Sequence, residues 1–198
     1  TNDAIAGVGS SFISTMTNLI PGKYYFVRAY ATNTVGTTYG SNVSFTMNAE
    51  LATVSTVAAS SITSSSASSG GNVTADGGGA VTERGIVYGT STNPTTSNSK
   101  IVDGSTGTGS FTSSLNGLTQ ATTYYIRAYA INSAGTSYGA NESFTTLANA
   151  PTVTTTAISS INGTTATGGG NVTSDGGAAI IERGIVYSTS SNPTTADS

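Results

Sequence analysis

A unit of 99 positions recurs along this chain, and that recurrence limits the possible folds more than any other feature. Arg127 stands 99 positions after Arg28, Arg183 after Arg84, Asn171 after Asn72 and Pro193 after Pro94. No insertion or deletion breaks the register, so the 198 residues are two tandem copies of one unit. The sharpest match sets Tyr25-Phe26-Val27-Arg28-Ala29-Tyr30-Ala31 against Tyr124-Tyr125-Ile126-Arg127-Ala128-Tyr129-Ala130. Both stretches predict a central β-strand. Side chains alternate across a strand, which puts Tyr124, Ile126, Ala128 and Ala130 on one face. Tyr125, Arg127 and Tyr129 take the other, and Asn132-Ser133-Ala134-Gly135 is turn chemistry. Leu19 precedes Tyr25, and Leu118 precedes Tyr124, by the same interval. At that spacing a tyrosine entering a sandwich strand reaches back to hydrogen-bond the incoming loop.

The copies do not begin at a domain boundary. Further strands are expected at Thr53–Val57, Ala67–Ala75, Val81–Tyr88, Phe111–Leu115 and Asn141–Thr146. Asp76-Gly77-Gly78-Gly79, Asn93-Pro94 and Asp103-Gly104 supply the turns and loops between them. Short strands separated by turns predict an all-β, antiparallel two-layer sandwich of the seven-stranded kind. On this reading 52–147 is a complete domain, 1–48 holds the closing strands of a preceding one, and 150–198 opens the next. Each half then presents an unpaired edge and one side of a core. Thr1 reads as the start of a window in a longer chain that continues both ways. The alternative is that the open end of one chain completes the open start of another.

Composition narrows the function classes. The chain has no histidine and no cysteine, which removes Ser/His/Asp and Cys/His catalysis and imidazole or thiolate metal sites. The nine acidic residues are scattered over repeating positions, so no enzyme and no cofactor are expected. A net charge of −3 gives nucleic acid no electrostatic footprint. No apolar run approaches the roughly 20 residues of a membrane span, so no membrane insertion is expected. Charged residues make up only 8%, yet Val, Ile and Tyr recur at strand spacing, which argues for a folded chain rather than a disordered one.

Leu118, Tyr124, alternating Ile126, Ala128 and Ala130, then Asn132, Gly135 and Phe144-Thr145-Thr146 together resemble fibronectin type III. Gly70-Gly71-Asn72-Val73-Thr74-Ala75-Asp76-Gly77-Gly78 and Glu83-Arg84-Gly85-Ile86-Val87-Tyr88 resemble the fibronectin-III-like repeats of very large bacterial surface proteins, both secreted adhesins and gliding-motility filaments. The resemblance implies immunoglobulin-like sandwiches in tandem, an extracellular, cell-surface or secreted location, and a spacer or adhesive stalk. Its partners would be neighbouring repeats of the same or like chains. The usual early-strand tryptophan is missing, and Tyr88 or Phe111 is expected to fill that volume.

Several residues are candidates for more than packing. Asp76 and Asp175 occupy equivalent glycine-rich turns, where local hydrogen bonding is the simpler role and calcium the sharper one. Glu83 is expected to pair with Arg127 across strands. Phe26, Tyr30, Tyr125 and Tyr129 form an outward aromatic row that could stack on a glycan or meet a cell-surface protein, or simply cover the sheet. Five Asn-x-Ser/Thr sequons, among them Asn72-Val73-Thr74, read as coincidence in so Ser- and Thr-rich a chain. The link Thr146-Leu147-Ala148-Asn149-Ala150-Pro151 is short, and its proline predicts limited swing between domains.

Overall fold

The computed structural model describes residues 8–9 and 11–197. The rest of the expected half-domain 1–48, and Ser198, lie outside the described residues. Every regular element among the described residues is a β-strand. The first four are β1 (Tyr24–Val27), β2 (Tyr30–Thr32), β3 (Thr37–Tyr39) and β4 (Val43–Thr46). Eight more follow: β5 (Thr53–Ser60), β6 (Ser66–Ala75), β7 (Glu83–Gly89), β8 (Ser99–Val102), β9 (Gly109–Asn116), β10 (Thr123–Asn132), β11 (Gly135–Tyr138) and β12 (Glu142–Thr145). The last two are β13 (Thr152–Ser159) and β14 (Thr167–Ser174).

The eight middle strands make two antiparallel sheets. One has the order β5-β6-β9. In the other, β10 pairs with β7 on one side, β7 pairs with β8, and β11 and β12 share the far edge of β10. Two of these strands differ from the sequence reading. Ser99–Val102 was expected to be loop but pairs with β7, Ile86 opposite Ile101. Gly135 was read as part of a turn but opens β11, which pairs with β10, while the expected closing strand at 141–146 is present as β12 on the same edge. Where that edge breaks, the Ala128 N–H donates to Thr56 Oγ1 at 3.0 Å, and Thr56 donates to the Ala140 carbonyl at 2.7 Å. One hydroxyl on β5 thus joins the two layers.

The inward face of β10 supplies Tyr124, Ile126, Ala128 and Ala130 to the core, met by Ile86, Phe111, Leu115, Val73 and Phe144. With so few large side chains the layers close by backbone approach. A methyl group on Gly71 would lie 2.5 Å from Ala128 Cβ and 2.8 Å from Phe111 Cζ. Phe111 lies in the core cluster, and Tyr88 packs half-buried against Tyr124 with ring centroids 6.4 Å apart. Arg84 closes one end of the core. It is buried, its guanidinium lies 5.2 Å over the Phe111 ring, and its Nε donates to Asp103 Oδ2 at 2.7 Å. Its Nη1 donates to the Gly107 and Gly109 carbonyls at 3.1 Å.

The flanking strands repeat this pattern in part. Tyr25 stacks on Phe45 at 23°, as Tyr124 stacks on Phe144 at 22°. β1 pairs with β4, β2 with β3, and β13 with β14. Residues 182–188 form no strand, although their counterparts build β7. In the middle sandwich β7 is held by β10, and among the described residues no such strand lies beside 182–188. Ile185 is accordingly 43% exposed, whereas its counterpart Ile86 is fully buried.

On the inward face of β9, between Phe111 and Leu115, Ser113 Oγ is buried without a hydrogen-bond partner. Removing an unsatisfied buried hydroxyl removes its desolvation cost. Ser113→Ala is therefore expected to stabilise the fold by about 1 kcal/mol, read as a higher urea midpoint at unchanged slope.

Candidate functional site at the joints between repeats

The aromatic row does not survive in the middle sandwich. Phe26 and Tyr30 are 66% and 45% exposed, but their counterparts Tyr125 and Tyr129 are half-buried and fully buried. The cross-strand partner of Tyr129 is Gly85, where an added methyl would stand 2.0 Å from the Ile101 carbonyl oxygen of β8. The Tyr129 hydroxyl donates to Glu83 Oε1 at 2.7 Å, and burial together with that carboxylate pushes the phenol well above its ordinary pKa. Glu83 also accepts from Lys100 Nζ at 2.8 Å. The expected Glu83–Arg127 pair is therefore corrected. The register sets Glu83 opposite Ile131 and Arg127 opposite Val87. Arg127 instead donates from Nε to the Gly139 carbonyl at 3.0 Å and lies 4.7 Å over the Tyr138 ring. Arg28 repeats both contacts, on the Gly40 carbonyl and Tyr39.

The repeated chemistry lies instead where one repeat meets the next. Each tyrosine that follows a leucine fixes a loop: Tyr25 Oη accepts from the Ile20 N–H at 2.9 Å, and Tyr124 Oη from the Thr119 N–H at 3.0 Å. The tips of those loops are Pro21-Gly22 and Gln120-Ala121. Against them lie the turns at 76–78 and 175–177. In each turn the aspartate is occupied locally: Asp76 Oδ1 accepts from the Gly78 N–H, and Asp175 Oδ1 from the Gly177 N–H, both at 2.9 Å. Both glycines of each turn have positive φ, between 67° and 86°. A methyl on Gly78 would stand 2.2 Å from the Pro21 carbonyl oxygen, and one on Gly177 would stand 2.5 Å from Ala121 Cβ.

The linkers are bonded on both sides. The Gly22 N–H donates to the Asn48 carbonyl at 3.3 Å, and the Ala121 N–H to the Leu147 carbonyl at 3.2 Å. Two residues on, the Glu50 N–H donates to the Gly77 carbonyl and the Asn149 N–H to the Gly176 carbonyl, each at 2.8 Å. Asn132 gathers the first joint from below. It is buried, its Nδ2 donates to the Glu50 and Asp76 carbonyls at 2.7 Å, and its Oδ1 accepts from the Ala134 N–H at 2.9 Å. Sequence reasoning gave Asp-Gly-Gly a turn role, with calcium as the alternative at Asp76 and Asp175, and gave Asn132 a turn role. Their appearance at equal offsets in both copies was the available signal. The joint offers no reacting group, and among the described residues no three acidic side chains gather to hold a metal.

The sequence matches no family model, and no curated protein matches it. Solved structures do resemble it. Domains d3–d4 of the rat CD45 extracellular region share 16% identity at a TM-score of 0.52, covering 74% of this chain and 75% of that one. The sensor domain of the anti-sigma factor RsgI4 from Pseudobacteroides cellulosolvens shares 22% identity at 0.37, covering 50% and 96%. Chicken contactin CNTN1 FN1–FN3 shares 19% at 0.38, covering 69% and 47%. The fold is an immunoglobulin-like, fibronectin type III-like sandwich. At these identities the likeness speaks to fold alone.

Asn132→Ala would leave two carbonyls without their donor, and is expected to cost about 2 kcal/mol in chemical unfolding. Glu83 is held below its ordinary 4.5 first by the Lys100 hydrogen bond and then by that from Tyr129. A depressed carboxylate contributes stability in full above its unfolded value and loses it as pH falls through the lower folded value. The stability difference between the wild type and Glu83→Gln is therefore expected to shrink steadily below pH 4.5, measured by urea unfolding across a pH series.

Proposed function

We propose that the chain is a structural segment of an extended extracellular array, a non-catalytic spacer in a surface filament or adhesin stalk. The observation that supports this most is the joint, built twice with the same main-chain bonds 99 positions apart. A chain selected for binding or chemistry would repeat a pocket or a reactive cluster. This one repeats a connection. In such an array a domain contributes length: strands of about eight residues, at roughly 3.3 Å each, give a unit some tens of ångströms long. The partners are neighbouring repeats of the same or like chains, and neither cofactor nor metal enters. The absence of free cysteine also suits the proposed exposed location, because no thiol needs protection there.

The competing reading is a module that binds glycan or a cell-surface protein through the outward aromatics. Its support in the middle sandwich is reduced to half-buried Tyr125, since Tyr129 is enclosed. Negative-stain electron microscopy of the native assembly is expected to give a beaded thread, and a compact globule would overturn the array. Glycan-array binding abolished by Tyr125→Ala would transfer the function to the competing reading.

A further inference from the structure

We infer that each joint is a rigid coupling, in which the Asp-Gly-Gly turn of one repeat keys onto the loop tip of the repeat before it and holds the two at one fixed angle. The inference rests on the array reading and adds what that reading leaves open, namely how neighbours are set relative to one another.

The linker is the first ground. Its residue 48 carbonyl is bonded to the upstream repeat through Gly22, and its residue 50 amide to the downstream repeat through Gly77. One residue, Ala49, stands between the two bonds, and Ala148 occupies the same place in the second joint. A swinging joint would have to break one bond or the other. The second ground is close fit. Methyl groups on Gly77 and Gly176 would lie 2.1 and 2.0 Å from the carbonyl oxygens of Glu50 and Asn149. In each turn the linker carbonyl thus lies against the glycine, in the space where any side chain would stand. The third ground is what the two joints do not share. Pro21-Gly22 becomes Gln120-Ala121 and Glu50 becomes Asn149, yet the main-chain bonds and the Asp-Gly-Gly turn persist. Ala121 even adopts φ 48° to keep the geometry in which Gly22 has φ 70°. The coupling is carried by backbone, and side chains around it can vary.

Hydrogen exchange and residual dipolar couplings on the 198-residue chain test this. The Glu50 and Asn149 amides, and those of Gly22 and Ala121, are expected to exchange at least about tenfold more slowly than unstructured chain. Couplings from β1 and β10 should fit one alignment tensor. Gly78→Val is expected to release Glu50 while β10 stays protected. Gly117→Val imposes a similar positive-φ strain, at 71°, in open space, and should leave Glu50 protected. Unprotected linker amides or separate tensors in the wild type would overturn the coupling, and so would equal loss of protection in both variants. Should Gly78→Val fail to fold, the wild-type measurements decide alone. Mobile joints in a chain that still forms beaded threads would sink the coupling and spare the array.

Discussion

A core with few large side chains has to be closed by drawing backbones together, and the contact of Gly71 with Ala128 does this for the sandwich. Packing at interior density leaves little tolerance for added volume, so both positions are confined to the smallest residues. The chain has no tryptophan and is 36% hydrophobic, and a wider gap between its layers could not be filled. Once the layers are close, modest groups suffice at either end. Tyr124 stacked on Phe144 closes one end, and Arg84 over Phe111 closes the other. Arg84 is tolerated there because Asp103 and two carbonyls satisfy its guanidinium, and a buried charge without such partners would cost several kcal/mol, by an order-of-magnitude estimate.

Glycine opposite a bulky residue appears again on the outer face. Gly85 stands opposite Tyr129 and lets the β8 backbone approach, and the Tyr129 hydroxyl reaches Glu83, which in turn receives Lys100. Arg127 covers Tyr138 beside it, and Tyr138 Oη accepts from the Thr96 N–H at 3.0 Å. The few charges of the middle sandwich are thus drawn into contacts that fix aromatic rings. Half-exposed pairs such as Glu83–Lys100 add on the order of 1 kcal/mol or less, so their effect is on geometry more than on stability. Tyr129 is held in place, and β10 is covered on both faces. The strand most evident in the sequence therefore offers a ligand little beyond half-buried Tyr125, Arg127 and Ile131.

What was legible in the sequence follows from how local each feature is. The alternation in Tyr124, Ile126, Ala128 and Ala130 is a property of one strand, so its inward face could be read directly. The Leu118 and Tyr124 spacing works within one loop. Tyr129 was misplaced because its enclosure depends on partners such as Glu83, 46 positions away, which only the register of two strands brings beside it. The same unknown register misassigned Glu83 to Arg127, although both strands were expected to be neighbours. β8 is four residues long, too short for alternation to show. The joint was out of reach for a different reason. Its bonds are between backbone groups, which every sequence contains, and only the turn glycines and the 99-residue offset hint at them.

That main-chain character has a consequence for the array proposed above. In a linear repeat, each unit touches only its neighbours, so the shape of the whole is one joint's angle applied again and again. Were the angle set by side chains, each substitution at a loop tip would bend the thread locally. Here Pro21-Gly22 and Gln120-Ala121 differ, as do Glu50 and Asn149, and the same amide-to-carbonyl bonds form in both places. The constraint falls on the Asp-Gly-Gly turn, because only glycine accepts both the positive φ and the approach of the linker carbonyl. In the proposed array, repeats would then be free to diverge over most of their surface while the direction of the thread is kept. A spacer needs that separation: a changeable exterior on a fixed line.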